Sequence, residues 1–313
     1  MSSESTERQH ADHFRLIFIE DPERARVEIL TLWEERIGPE YRRLVDDAIA
    51  DVEALFAGQV RGYKASNTPY HTLSHTVMVF VAMGRILDGA ACNGVDFSPH
   101  DVGAGLLAAI YHDTGYIQDA DDEEGTGAKY TVGHERRSVR QLERFLGNRP
   151  VKSSVLRPAR AAIADTDIHS TTERPDSATQ VEPPSIERRL GTYLMYADLF
   201  GQMADRAYLE KLLLLYLEFH EAGFTQYESE WDVLEGTSGF ANQLISAPGS
   251  TADEISRLLE KHFEHRLRKK LDLYRTYIQK NLAYLEMLLQ QHPTDYRNWL
   301  RRNGVVADLS DVA

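Results

Sequence analysis

Residues 99–116 read PHDVGAGLLAAIYHDTGY, and this stretch decides the fold. Its apolar residues recur at helical spacing, Ser98 is a suitable helix cap and Pro99 suits a first helical position. An apolar helix is therefore predicted to end on the adjacent residues His112 and Asp113. Because neighbouring helical side chains point about 100° apart, this pair can bind one metal ion from adjacent coordination positions. Burying the pair without compensation is costly, whereas a divalent cation offsets that cost.

The rest of the chain shows the same helical spacing, with no convincing strand pair and no internal repeat. We predict helices over residues 22–57 (a pair divided at Gly38-Pro39), 73–87, 99–111 and 252–291 (one charged amphipathic helix or a pair). We predict loops over Gln118–Val132, Ser170–Pro184 and Ser246–Thr251. These patterns together predict an all-α fold.

The length of 313 residues favours a single large helical domain over two domains. We expect a flexible N-terminus over residues 1–20 and a helical domain over residues 21–245. C-terminal helices over residues 252–303 are expected to pack on that same domain, followed by a tail over residues 304–313. The C-terminal helices are also the surface through which a homo-oligomer can form.

Composition restricts the partners and the compartment. The formal net charge is −14, with 49 acidic against 35 basic side chains, so long nucleic acid is not expected as a partner. A small anionic substrate held by a metal ion remains compatible with this charge. The single cysteine, Cys92, cannot form an intramolecular disulfide, and the polar N-terminus lacks the apolar stretch of a secretory signal. The apolar stretches Val102–Tyr111 and Leu212–Leu217 are too short to span a bilayer, so we expect a cytoplasmic protein without a membrane partner.

Histidines are the feature that stands out, with twelve in the chain. In YHTLSH, residues 70–75, His71 and His75 are four positions apart and share one face if a helix starts here. This spacing can bind one metal through two imidazoles, or place one imidazole on the metal and the other over a substrate. The alternative is an amphipathic helix start with exposed histidines.

An isolated acid lies in LGTYLMYADLFGQ, where Asp198 is surrounded by residues that read as buried. A carboxylate on a largely apolar helix requires a cation or hydrogen-bond donors nearby. The alternative is an ion pair with Arg188 or Arg206.

The order His … His-Asp … Asp on successive helices resembles the HD superfamily of metal-dependent phosphohydrolases, over about Tyr70 to Phe219. YHTLSH is similar to the family's Tyr-His-Asn-x-x-His, IYHDTGY to its Phe-His-Asp-hydrophobic-Gly and YADLFGQ to its Ala-Asp-Leu helix. Catalytic domains of cyclic nucleotide phosphodiesterases share all three elements, as do bacterial predicted HD phosphohydrolases. Thr72 departs from the pattern, since those families usually have Asn at this position.

The resemblance implies an HD-domain helical bundle with additional N- and C-terminal helices. It implies one divalent metal ion, whose identity among Mn, Mg, Zn, Fe and Co is left open, held by the four ligands His75, His112, Asp113 and Asp198. It also implies that His71 is the general acid, a task that suits an imidazole because its pKa lies near working pH.

Two further segments resemble the family more loosely. GHERRS, residues 133–138, would supply Glu135 to hold a bridging or metal-bound water, and AAIADTDIHST would supply His169. His134 and His169 are then candidate ligands of a second metal ion. The alternative is that His134 is a loop histidine and His169 caps a helix carboxyl end.

The function implied is hydrolysis of a small, nucleotide-like phosphodiester or phosphomonoester by metal-activated water. Lys129 and Arg137, near the acidic loop, are candidates for substrate contact, with ordinary surface charge the simpler interpretation. Two other functions stay open. A di-iron oxygenase would use the six-residue set His75, His112, Asp113, His134, His169 and Asp198, and a non-catalytic metal-binding helical interaction protein would use the C-terminal helices instead.

Overall fold

A computed structural model describes residues 17–167, 184–245 and 249–310, except for the side chains of residues 242–245 and 310. These ranges contain no β-strand, only the isolated bridges Ala57–Ala65 and Tyr63–Asp119, so the predicted all-α fold is confirmed. The α-helices within the described ranges are α1 (Pro22–Trp33), α2 (Gly38–Phe56), α3 (Leu73–Cys92), α4 (Pro99–Tyr111), α5 (His134–Leu146), α6 (Lys152–Ala164), α7 (Ile186–Ala204), α8 (Tyr208–Glu221), α9 (Glu230–Ile245), α10 (Thr251–Leu267), α11 (Leu273–Gln291) and α12 (Val305–Ser310). Short 3-10 helices cover Thr114–Tyr116, Gly127–Tyr130, Tyr296–Asn298 and Arg302–Gly304.

Helix α3 forms the centre of the fold. Every residue from His75 to Ala90 is buried, and α1, α4, α7 and α10 all pack against it. By length and composition alone, α3 is apolar enough to cross a membrane, but 89% of its most apolar window is buried inside the protein. Burial on all sides explains why this helix is apolar all round rather than amphipathic.

Side-chain caps set the starts of the two helices that meet at the site. Thr72 caps α3 by accepting the backbone N–H of His75, and Ser98 caps α4 by accepting that of Asp101, whose carboxylate accepts the N–H of Ser98 in return. The Ser98 cap is the one predicted from the sequence. Helix α3 continues to Cys92, five residues beyond the predicted end.

The C-terminal helices pack directly on the core. The predicted segment 252–291 is a pair, α10 and α11, separated where Arg268 has a φ of 57°. Asp88 on α3 is 1% exposed. Its carboxylate binds α10 by accepting hydrogen bonds from His262 Nδ1 at 2.7 Å and Arg266 Nη2 at 2.5 Å. Next to it, Gly89 lies directly against the backbone of Leu258.

Both ends of the described chain differ from the sequence-based expectation. Ile17 and Ile19, within the stretch expected to be flexible, are each only 3% exposed and belong to the hydrophobic core. Residues 305–310, expected to be a tail, form the short helix α12. The apolar pattern of these short segments is too brief to reveal such packing in the sequence. The predicted loop Gln118–Val132 contains one 3-10 helix, Gly127–Tyr130.

The close contact at Gly89 gives a prediction about stability. An ideal Cβ at this position would lie 1.9 Å from the Leu258 carbonyl oxygen, so Gly89→Ala must separate α3 from α10. We expect Gly89→Ala to lower the free energy of unfolding by about 1–3 kcal/mol, as overpacking does. Urea denaturation measures this change.

The matched control is Gly239→Ala in the exposed part of α9, where an added Cβ meets nothing within 4 Å. There the helix propensity of alanine should raise the stability by about 0.5–1 kcal/mol. Equal effects of the two substitutions would show that the α3–α10 contact does not exist.

Candidate metal centre

The His112–Asp113 pair lies at the point where α4 ends. Helix α4 ends at Tyr111, His112 is its C-terminal cap, and both residues of the pair are at most 3% exposed. His112 Nδ1 lies 2.8 Å from the Ala109 carbonyl oxygen, an acceptor, so Nδ1 carries the proton and Nε2 presents its lone pair in the neutral ring. Asp113 Oδ2 is 3.1 Å from that Nε2.

Two other helices bring the remaining donors. His75, in the first turn of α3, places its Nε2 3.1 Å from Asp113 Oδ2 and 3.2 Å from Asp198 Oδ1. Asp198 comes from α7, which packs along α3. The helices α3, α4 and α7 therefore bring His75, His112 and Asp198 together, and Asp113 contacts both imidazoles.

The donor atoms of His75, His112 and Asp198 all lie within 4.8 Å of one another, so these three residues can hold a metal ion. Ligands about 2.1 Å from one cation are about 3–4.2 Å apart, a range that includes the contacts of Asp113 Oδ2 with both imidazoles. We refer to the four residues as the His/Asp cluster. In the described part of the chain, three of its atoms are buried without any hydrogen-bond partner: His112 Nε2, Asp113 Oδ2 and Asp198 Oδ1.

This pattern of unpaired atoms fits a cation. With the proton of His112 on Nδ1, the lone pair of Nε2 faces a carboxylate oxygen at 3.1 Å. Two facing lone pairs repel, and each buried polar atom without a partner costs about 1–3 kcal/mol. A cation that both atoms coordinate removes the repulsion and satisfies the donors.

The two carboxylates also set the protonation of the cluster when no cation is bound. Burial lowers the pKa of His75, but Asp113 and Asp198 outweigh this effect and raise it to about 10. Burial raises the pKa of Asp113, but His112 and His71 outweigh it, so this pKa lies well below its usual range. A cation must therefore displace a proton from His75 near neutral pH, and its affinity increases as the pH rises.

His71 lies beside the cluster without sharing a helix face with His75. Because α3 begins at Leu73, as predicted, His71 precedes the helix, and the condition for a shared helix face with His75 is not met. The two ring centroids are 5.7 Å apart, with the ring planes at 89°. His71 is thus a neighbour of the His/Asp cluster on the side where the chain enters α3.

Glu218, on α8, holds His71 in place. Its carboxylate pairs with His71 Nδ1 and accepts the backbone N–H groups of Tyr70 at 2.6 Å and of His71 at 3.1 Å. Burial lowers the pKa of His71, but Glu218 and Asp113 raise it above its ordinary value. With Nδ1 engaged by Glu218, the ring has Nε2 available for another partner.

Glu218 has no role in the sequence-based site, although the sequence carried a signal for it. Helix α8 reads YLEKLLLLYLEFHE, in which Glu218 is an acid within a largely apolar sequence. Glu218 is buried, with 1% of its surface exposed. The same pattern identified Asp198. The sequence pattern alone does not distinguish Glu218 from Glu210, a second buried acid of α8. Glu210 accepts the backbone N–H of Arg302 and lies outside the site.

His134 joins the edge of the cluster. It is the first residue of α5, its Nδ1 lies 2.9 Å from the Thr131 carbonyl oxygen, and its Nε2 lies 3.5 Å from Asp113 Oδ1. Glu135 is buried in the same turn, and its carboxylate lies 3.5 Å from His134 Nδ1. Glu135 therefore contacts the Nδ1 side of His134, whereas Asp113 contacts its Nε2 side. His169, the other candidate for a second metal ion, lies outside the described residues.

The lack of a side chain at Gly115 allows His134 to lie close to Asp113. An ideal Cβ at Gly115 would lie 1.9 Å from the His134 carbonyl oxygen, so only glycine lets the start of α5 pack on the turn after Asp113. Arg137 braces this contact by donating to the carbonyl oxygens of Gly115 and Ile117, each at 2.7 Å. Arg137 therefore has a structural use, and Lys129 is paired with Asp122 at 2.5 Å.

The chain matches no protein-family model, no curated protein and no solved structure. Imidazole and carboxylate donors suit Mn, Mg, Zn, Fe and Co, and the donor set does not select one of them.

We predict that the purified protein contains a divalent metal and that His112→Ala loses it. Removal of one buried donor should weaken metal affinity by more than about 100-fold, since even residues that only orient a ligand cost 10–100-fold. Elemental analysis after purification in chelator-free buffer measures the metal content. The matched control is His265→Ala, at an exposed position on α10, which should keep its metal. A folded His112→Ala protein with full metal content would refute the assignment.

Proposed function

We propose that the protein is a metal-dependent phosphohydrolase that acts on a small phosphate ester. The observation that carries this proposal is the position of His71, whose Nδ1 is held by buried Glu218 and whose ring lies 5.7 Å from that of His75. An imidazole with one nitrogen anchored by a carboxylate and its ring next to a possible metal site has the arrangement of a general acid.

The chain's residues divide the chemistry between them. The His/Asp cluster would hold a divalent cation, which would supply charge stabilisation for phosphoryl oxygens and an activated water. As the bond from phosphorus to the leaving oxygen breaks, His71 Nε2 donates a proton to that oxygen. Glu218 orients the ring and favours its protonated form, which agrees with the raised pKa of His71. The alcohol then leaves as a neutral group.

A second cation is supported by Asp113. Its Oδ2 lies 3.1 Å from His112 Nε2, while its Oδ1 lies 3.5 Å from His134 Nε2. The two oxygens therefore face different imidazoles, so Asp113 could contribute to two metal positions. We propose His134 as a ligand of this second position, with His169 as its predicted partner. A dinuclear centre is compatible with phosphoester hydrolysis and with a di-iron oxygenase.

We favour phosphoester hydrolysis over a di-iron oxygenase because hydrolysis requires a general acid, the role that we propose for His71 held by Glu218. A non-catalytic metal-binding protein would leave this anchored imidazole without a role. An oxygenase would need dioxygen and a reductant, so oxygen consumption distinguishes it from a hydrolase. We further propose that the substrate is small, because a chain with a net charge of −14 repels long nucleic acid.

The test is hydrolysis of bis-p-nitrophenyl phosphate, cyclic mononucleotides, nucleoside monophosphates and generic monoesters, each with Mn, Mg, Co and Fe. On the best substrate, His71→Ala should lower kcat by about 100-fold or more, as the loss of a general acid does, because no group then protonates the leaving oxygen. Its metal content should equal that of the wild type.

His265→Ala serves again as the control and should match the wild type. Loss of metal in His71→Ala would make His71 a ligand instead of the acid. Hydrolysis of monoesters alone would limit the substrates to that class. Failure to hydrolyse any of these esters with a metal-loaded protein would refute the proposed function.

A further inference from the structure

Tyr116 connects two histidines of the site. Its ring is stacked with that of His71, at a centroid distance of 4.2 Å and an interplanar angle of 12°, and with that of His134, at 4.5 Å and 25°. The two imidazoles are 6.4 Å apart and do not stack directly at that distance. Tyr116 itself is only 2% exposed.

The backbone fixes the position of this ring. Tyr116 is the last residue of the 3-10 helix that follows Asp113, and its N–H donates to the Asp113 carbonyl oxygen at 3.1 Å. On the other side, Gly127 packs so closely that an ideal Cβ there would lie 2.0 Å from the Tyr116 carbonyl oxygen. The turn that presents a metal ligand thus also fixes the tyrosine that contacts His71.

His71 needs a second restraint beyond Glu218. The carboxylate holds Nδ1 at one edge of the ring, but a contact at one edge leaves the ring free to tilt about it. A flat aromatic surface at 4.2 Å removes that freedom, because tilting the imidazole would break the stacking contact. The direction of His71 Nε2 is then determined by the edge contact and the face contact together.

We propose that Tyr116 is a positioning residue for the reaction: its ring holds the imidazoles of His71 and His134 in fixed orientations around Asp113. This inference rests on the proposed function for its catalytic consequence. Its structural part, the restraint of two imidazoles by one ring, does not depend on that function. The planar ring performs this task, and the hydroxyl is not required for it.

An ordinary core role for Tyr116 predicts different behaviour. A residue that only fills space affects the stability of the protein, but it leaves kcat unchanged at temperatures where the variant is folded. A positioning residue affects kcat more than KM, because a misdirected general acid impairs the chemical step. Tyr116→Phe keeps the ring and Tyr116→Leu removes it, so the pair of variants separates the two roles.

The experiment combines histidine ring-proton NMR with kinetics on the metal-loaded full-length protein. The ring current of Tyr116 should displace the ring-proton signals of His71 and His134, which are assigned from the His71→Ala and His134→Ala spectra. Tyr116→Leu should move these signals by several tenths of a ppm, lower kcat about tenfold and leave KM within about twofold. Tyr116→Phe should keep the signals near their wild-type positions and keep kcat within about twofold.

A double substitution gives the second arm. In the His71→Ala background, Tyr116→Leu should lower kcat by clearly less than it does in the wild type, since only the contact with His134 is then left to lose. Full additivity would contradict the proposal. If Tyr116→Leu does not fold, Tyr116→Met replaces it, because a flexible unbranched side chain fills the space without offering a plane.

The NMR signals require no substrate, so they separate this inference from the proposed function. Absence of hydrolysis in the wild type would refute the function. The inference itself is overturned if folded Tyr116→Leu leaves the His71 and His134 signals at their wild-type positions, or if Tyr116→Phe is as damaging as Tyr116→Leu.

Discussion

The contact between His112 Nε2 and Asp113 Oδ2 is the constraint on which the rest of the site depends. These atoms lie 3.1 Å apart, both are buried, and the described residues offer neither of them a hydrogen bond. While Nε2 keeps its lone pair this contact is unfavourable, and a cation between the two atoms would relieve it. His75 and Asp198 direct their donors to the same place from α3 and α7, and the three-helix contact at the centre of the fold determines where a cation can bind.

The protein secures its imidazoles through their second nitrogens. His112 and His134 each direct Nδ1 to the carbonyl oxygen of the third residue before them, so the backbone selects the tautomer with Nε2 free. His71 differs, since a carboxylate holds its Nδ1 and favours the charged ring. In the proposed function, the carbonyl partners leave Nε2 of His112 and His134 for a cation, and the carboxylate partner suits His71 for proton donation. The different partners thus support different roles for otherwise equivalent side chains.

Local patterns in the sequence were sufficient for the helices and for the centre of the cluster. His112 and Asp113 follow an apolar helix, and Asp198 lies within another. The few residues around each of them were therefore enough to predict polar groups next to the core that could bind a cation. The partner of His71 was not, because Glu218 lies 147 positions away and only tertiary packing brings it near. Tyr116 was inconspicuous for a similar reason, since an aromatic residue after a turn is ordinarily part of a core. The spacing of His71 and His75 would place them on one face only in a helix that includes both, and the cap at Thr72 starts the helix between them.

The most direct test is a crystal structure of the protein grown with Mn²⁺ and phosphate, with data collected at the manganese absorption edge. We predict an anomalous peak about 2.0–2.3 Å from His75 Nε2, His112 Nε2 and one oxygen each of Asp113 and Asp198. A phosphate oxygen should lie within hydrogen-bonding reach of His71 Nε2. Manganese bound elsewhere, or phosphate on the far side of the cluster with the space beside His71 blocked, would contradict this prediction.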